Sequence, residues 1–210
     1  MTINIACAEL RGPQSRELLE HLEIVISSRR FIEKQGLNNE VPFFICPYRP
    51  KDAVEMEVLR GQLVKRLEQK SVKILEINLY DLALELLKRR KLLGRILQAE
   101  QSMPKSKIKE TLHGVLDPER HLVPAISERA RNVSFDIMFL SGVGEVFPYI
   151  RSHNVLNNLQ SAAKEQPTIM FFPGSYQHQL ATGASLDLFG KLQDDKYYRA
   201  YNILTMKAAV

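Results

Sequence analysis

Residues 135 to 153, FDIMFLSGVGEVFPYIRSH, constrain the fold more than any other stretch of the chain. An almost wholly apolar run from Phe135 to Leu140 stops at Ser141-Gly142-Val143-Gly144 and passes at once into polar and charged side chains. An apolar run without period-2 alternation predicts a parallel strand covered on both faces by helices, because such a strand buries both sets of its side chains. Open α/β sheets bind ligands and partners at the carboxyl ends of their strands. Glu145, Arg151, Ser152, His153 and Asn154 therefore fall where such a fold places its function. A polar loop followed by a helix would satisfy the same pattern with no function attached.

The flanking sequence supplies the remaining layers. A loose arm over residues 1–12 leads into a helix starting near Pro13 with Leu18, Leu22 and Val25 as its apolar stripe. Val41–Cys46 reads as the first strand, ended by Pro47, and Pro50 opens a helix with Met56, Leu59, Leu63 and Leu67 at helical spacing. Val72–Ile77 is the second strand, and Asn78 caps a long helix through Leu97. Asp117-Pro118 starts another helix, Pro148 starts the one carrying Ile150, Val155, Leu156 and Leu159, and Thr168–Phe172 is the fourth strand. Pro173-Gly174-Ser175-Tyr176 reads as a turn, Gln177–Ser185 as a flexible loop, and the chain ends in a last strand near Ile203. This layout predicts a single three-layer α/β domain over residues 13–210 with a mostly parallel five-stranded sheet.

Charge separates along this chain. The formal net charge is +5, and the segment from Asp81 to Lys109, with eight basic and three acidic residues, carries the whole excess. Lys88, Arg89, Arg90, Lys91 and Arg95 are its candidate phosphate contacts, although a helix with a solvated basic face has the same composition. Cys7 and Cys46 are the only cysteines, one near the amino terminus and one in an apolar run, which suits reduced thiols and excludes a cysteine-rich zinc site. With neither a span of about 20 apolar residues nor the basic-then-apolar order of a signal peptide, the expectation is a cytoplasmic protein with no membrane contact.

A five-stranded parallel sheet is the layout of a P-loop NTPase core, which demands G-x-x-x-x-G-K-[ST] after the first strand. The chain has CPYRPKDAVEM there, without glycine and with two prolines that remove amides a phosphate would need. The third strand ends Phe139-Leu140-Ser141 where a magnesium-binding acid is required. The sheet is thus P-loop-like without Walker motifs, with neither ATP nor any other cofactor expected. Gly142-Val143-Gly144 lacks the third glycine of a dinucleotide fingerprint, since Phe147 stands in its place. Glu145 and His153 are the one concentrated pair able to act as base and partner, and a hydrolase or nuclease would have to use them. Arg151 suits anchoring of the turn or pairing with Glu145. Tyr197, Tyr198, Arg199 and Tyr201 form the densest aromatic and cationic group, which fits core or interface packing as well as base stacking.

GLNNEVPFFI at 36 to 45, ILEINLYDL at 74 to 82, FLSGVGEVFPYIRSHNVLNNL at 139 to 159, FFPGSYQ at 171 to 177 and LFG followed by DDKYYRAYNI at 188 to 203 together resemble the BrxB family, a small component of BREX bacteriophage-exclusion systems. The stretch from Gln177 to Ser185 is longer than the family pattern suggests, and the first dozen residues have no counterpart in it. The resemblance implies a role in phage restriction and host-DNA modification through assembly with other BREX proteins, foremost the alkaline-phosphatase-like PglZ, and no reaction of its own. It carries over no catalytic residues. Its motif positions are Gly142, Gly144, Glu145, Pro148, Arg151, His153, Asn154, Pro173, Gly174, Tyr198 and Arg199, expected to form an interaction or structural surface. Two other readings remain open at this point: a module making weak, non-specific DNA contact through the basic helix, and a cryptic hydrolase or nuclease at Glu145 and His153.

Overall fold

A computed structural model describes residues 7–35, 42–162, 165–179, 183–190, 192–195 and 200–207. The strands are β1 (Phe43–Tyr48), β2 (Ile74–Asn78), β3 (Ile137–Ser141), β4 (Thr168–Gln179), β5 (Gly183–Leu188), β6 (Leu192–Asp195) and β7 (Tyr201–Asn202). Five of them lie parallel in the order β2-β3-β4-β1-β7, and β5 and β6 extend the far half of β4 as an antiparallel ribbon. The architecture is the expected helix-flanked, mostly parallel α/β sheet.

The register shows why the central strands are apolar throughout. Glu76, Phe139, Ile169, Phe44 and Tyr201 lie on one rung across the sheet, and Ile77, Leu140, Met170, Ile45 and Asn202 on the next. Successive side chains of a strand point to opposite faces, so neighbouring rungs feed two cores. Phe44, Phe139, Ile169 and Phe171 pack under α1 (Pro13–Ile26) and α3 (Ala53–Gln69). Phe43, Ile45, Leu140, Met170 and Phe172 pack under α4 (Leu79–Arg89), α6 (Lys105–Val115), α7 (Val123–Asn132) and α8 (Ser152–Ala162).

Several boundaries differ from the sequence expectation. Pro47 does not end β1, because its carbonyl accepts from the Ala8 N–H at 2.9 Å while Arg49 N–H donates to Ala8 O at 3.1 Å. That exchange holds the segment around Ala8 against the strand, and the Leu10 N–H donates to the buried Asp52 carboxylate at 3.1 Å. The long basic helix is two helices, α4 and α5 (Leu93–Ala99), divided where Lys91 turns to φ +56°. Pro148 does not start a helix: it follows a cis peptide bond in a turn, and α8 begins at Ser152. Pro173-Gly174 is not a turn either, since β4 runs straight through it for 12 residues, and the expected flexible loop at 177–185 contains the pairing of β4 with β5. No helix among the described residues is long and apolar enough to cross a membrane.

Candidate functional site at the strand carboxyl ends

The glycine motif is a joint between loops. At the end of β2, the Asn78 side chain caps α4, its Oδ1 accepting from Tyr80 N–H at 2.8 Å and from Asp81 N–H at 3.3 Å. Gly142, at the end of β3, has φ +74°, and a Cβ there would stand 2.3 Å from that same Oδ1. The cap of one strand end and the exit of the next thus interlock, and only glycine fits between them. Gly144 is closely packed but less strictly held, with the side-chain atoms Pro173 Cγ 3.0 Å and Phe189 Cε1 3.1 Å from a Cβ placed on it. Gly174 is tightest, since its Cβ would meet Asp187 O at 2.1 Å across the β4–β5 pair. Phe147 and Phe189 close the joint edge to face at 6.1 Å.

The remaining motif positions lie around this joint. Pro148 sits in the turn whose Val146 carbonyl accepts from Tyr149 N–H at 2.9 Å and Ile150 N–H at 3.0 Å. Arg151 precedes α8 and is exposed, while its carbonyl starts the helix by accepting from Val155 N–H at 3.2 Å. His153 and Asn154 are half-buried on the first turn of α8, where Asn154 O accepts from Asn158 Nδ2 at 2.7 Å. Tyr198 and Arg199 lie outside the described residues. Tyr201 packs on Phe44 with ring centroids 5.9 Å apart, in the core under α1 and α3.

Beside the joint, on the α3 side, is an open cleft of about 450 Å³. Tyr48, Asn78, Ser141 and Gly142 from three strand ends form its floor, and Glu57, Val58 and Arg60 of α3 form one wall, with Glu145 opposite. Arg60 is buried, donating through Nη2 to Glu57 and through Nη1 to Glu76, while its Nε meets no acceptor. Glu76 reaches Arg60 because its rung faces α3. Glu145 has its carboxyl pushed above the ordinary range, first by desolvation and then by the charges of Glu57 and Asp81, with Arg60 opposing. Tyr48 is pushed up as well, by burial and then by Glu145. Negative charge is therefore in excess in and around the cleft.

This geometry decides between chemistries. Glu145 lines the cleft, whereas His153 belongs to α8, whose Val155 and Leu156 pack on the opposite face of the sheet. In the connection from β1 to α3, Pro47 and Pro50 have no N–H, Arg49 N–H is taken by Ala8 and Asp52 N–H donates to Arg49 O at 2.9 Å. A phosphate cradle needs several such amides converging on one point. Gly142 follows the third strand, not the first, so the glycines are not those of a dinucleotide turn. Among the described residues no group of His, Cys, Asp or Glu is placed to hold a metal ion. Lys88, Arg89, Arg90, Lys91 and Arg95 are exposed around the break between α4 and α5. Arg89 is paired with Glu85 at 2.6 Å and Glu128 at 3.5 Å, and Arg90 Nη2 lies 2.6 Å from His121 Nδ1.

Sequence reasoning missed the α3 side of the site. Met56, Leu59, Leu63 and Leu67 define the buried stripe of α3, and Val54 and Val58 stand one turn apart on the helix face turned away from it. Two β-branched apolar residues on a face that should be polar were the available signal. Arg60, on the margin of the buried stripe, gave none.

A mostly parallel α/β sheet with a packed glycine joint at its strand ends and a cleft carrying Glu57, Arg60 and Glu145 beside it defines the class, a helix-flanked α/β protein. Comparison with known proteins places it further. The family model described as BREX protein BrxB matches residues 75–203, more than half of the chain. A BREX protein BrxB of Bacillus cereus (strain H3081.97) is 36% identical over 90% of this chain and 96% of its own. A BREX protein BrxB of Escherichia coli O9:H4 (strain HS) is 26% identical over 89% of this chain and 90% of its own. The chain belongs to the BrxB family and is a component of a BREX system, which implies a role in phage defence. No solved structure matches it.

Proposed function

We propose that the chain is a non-enzymatic assembly component of a BREX complex, supporting phage restriction and host-DNA modification by protein–protein contact, with PglZ as its first partner. The observation that carries this reading is the state of the motif glycines: Gly142, Gly144 and Gly174 are each filled to contact by Asn78, Pro173 and Asp187, so the motif holds loops in place and leaves no room for a reacting molecule at those points. The parallel order β2-β3-β4-β1-β7 supports a P-loop-like scaffold, and the amides taken up after β1 support its having no ATP chemistry. Glu145 lines the cleft and His153 is not among its lining residues, which gives a hydrolase or nuclease built on that pair no support.

Affinity purification of the tagged protein from cells carrying the whole BREX system tests this. Retention of PglZ is expected, and Arg151→Ala should weaken it several-fold, because an exposed guanidinium beside the joint offers a partner several donors. His153→Gln keeps the size and removes acid–base capacity, so plaque formation by phage should stay at the wild-type level. Retention of no BREX protein overturns the reading. Loss of defence in folded, partner-retaining His153→Gln replaces it with a chemical role.

One observation favours a second contact. Among the described residues, the exposed cations Lys88, Lys91 and Arg95 have no acidic neighbour as near as Glu85 is to Arg89, and they would touch nucleic-acid phosphate weakly and without sequence preference.

A further inference from the structure

The assembly role leaves the partner's chemistry open, and the cleft beside the glycine joint defines it. The cleft is lined on one side by α3, which presents Val54 at 75% and Val58 at 57% relative exposure, two large apolar side chains on a helix whose other exposed residues are small, polar or charged. Glu57 and Glu145 line the cleft with them, the charge of Asp81 acts on Glu145, and Glu76 binds the cleft's Arg60. Among the described residues, Arg60 is the cation that acts on Glu145, and both of its terminal nitrogens are already held by Glu57 and Glu76. The volume of about 450 Å³ exceeds what one lysine or arginine side chain needs.

An apolar rim beside carboxylates that outnumber the one guanidinium pairing with them matches a long cationic side chain, whose methylenes cover apolar surface while its head reaches charge. We propose that this cleft docks a lysine- or arginine-bearing segment of a partner protein, the aliphatic stem lying on Val54 and Val58 and the cationic head between Glu57 and Glu145. This rests on the assembly reading above and names the chemistry of its contact. A free inorganic cation does not fit as well, because it would make no use of the two valines and the carboxylates are not grouped at metal-ligand distance among the described residues. Nucleic acid is repelled by the same acids. Docking also brings positive charge to Glu145, whose carboxylate is otherwise surrounded by like charge.

The test uses the full chain, tagged and co-expressed with the other BREX proteins, with retained partner quantified by mass spectrometry. Glu145→Lys reverses a cleft charge without touching the Arg60 pairs, and Val58→Lys fills the cleft with a cation from the chain itself. Each should lower partner retention tenfold or more, with circular dichroism as wild type and a melting temperature no lower than wild type. Glu68→Lys, on the same helix outside the cleft, should change retention less than twofold. Val58→Glu serves as the second variant at the rim: it adds negative charge in the same place, so it should retain at least fivefold more partner than Val58→Lys. Equal losses for the Glu and Lys variants at Val58, or wild-type retention by Glu145→Lys, overturn the cationic-segment assignment while leaving the assembly reading in place. Retention of no BREX protein by the wild type overturns the assembly reading itself.

Discussion

Two neighbouring regions share the carboxyl ends of the same strands and have opposite construction. In the joint of Asn78, Gly142, Gly144, Gly174 and Asp187, a single methyl group would stand 2.1–3.0 Å from its nearest neighbour at each of these glycines. In the cleft a few residues away, Glu57, Glu145 and Val58 border about 450 Å³ of open space. The difference separates two roles that a motif alone merges. Residues that resemble a binding loop in sequence form the packed part, and the part open to a partner is bordered by α3, where no motif was visible. The packed joint fixes where β2 and β3 end, and those ends line the cleft together with Tyr48 at the end of β1.

The largest effect should come from filling the joint at its tightest point. Gly174→Val places a side chain against Asp187 O and the Phe172 ring, inside a paired strand, where neither backbone can move without breaking the β4–β5 register. A loss of about 3–5 kcal/mol in denaturant unfolding is expected, in the range of severe overpacking combined with a lost strand pairing. A loss under about 1 kcal/mol would show that the ribbon of β5 and β6 yields, and the contrast between packed joint and open cleft would fail.

A smaller and sharper effect concerns the interlock of Asn78 and Gly142. Asn78→Ala removes a helix cap and should cost about 1–2 kcal/mol. Gly142→Ala clashes with the Asn78 amide and strains a positive φ, costing about 2–3 kcal/mol. In the double variant the clash with Oδ1 is gone, so the two losses should sum to about 1 kcal/mol more than the double variant shows. Additive losses would mean that the cap and the glycine are independent.

How much of this was legible follows from the kind of interaction. The parallel sheet and its two cores were readable because Phe43 to Cys46 and Ile137 to Leu140 bury both faces, and that requirement is written in consecutive residues. The end of β1 was misjudged because proline rules concern a missing N–H, while the backbone group Pro47 uses is its carbonyl, toward a residue 39 positions earlier. Gly174 was read as a turn because glycine serves both sharp turns and close approach. The alternation of Tyr176, Leu186 and Leu188 with Ser175, Ser185 and Asp187 was the sign of a paired ribbon. The break after α4 had no glycine to announce it, since Lys91 itself takes the left-handed conformation. The joint was visible as a motif, but its packing role depends on Asn78 and Asp187, which are distant in sequence.

Charge reversal of Lys88, Lys91 and Arg95 addresses the other charged region, far from the cleft in character. If these cations touch DNA, their reversal should abolish retention on duplex DNA at low salt while the melting temperature changes by less than about 2 °C, as expected for exposed sites. Wild-type retention should fall steeply with salt, because it depends on displaced counterions. Salt-resistant binding to one sequence would make nucleic acid, not the cleft, the principal contact.

The smallest expected effect compares two glutamates. Glu23 is held by Lys70 at 2.7 Å and Arg66 at 2.9 Å, and these hydrogen bonds keep its carboxyl below the ordinary range. Glu145 is raised, by desolvation first and then by Glu57 and Asp81. Linkage gives the two opposite signs. For Glu23, the folded state binds its proton less readily than the unfolded chain, so its contribution is present above the unfolded carboxyl value and disappears as pH falls through the lowered folded one. Glu23→Gln should therefore lower the melting temperature at neutral pH and not in strong acid. For Glu145, ionisation is disfavoured by folding, so the cost is absent in acid and sets in as pH rises from the unfolded value through the raised folded one. Glu145→Gln should raise the melting temperature at neutral pH and leave it unchanged in acid, the signature of a carboxylate kept among like charges for something other than stability. A carboxylate that served the fold would behave as Glu23 does, and a lowered melting temperature for Glu145→Gln at neutral pH would remove the electrostatic argument for an unsatisfied cleft.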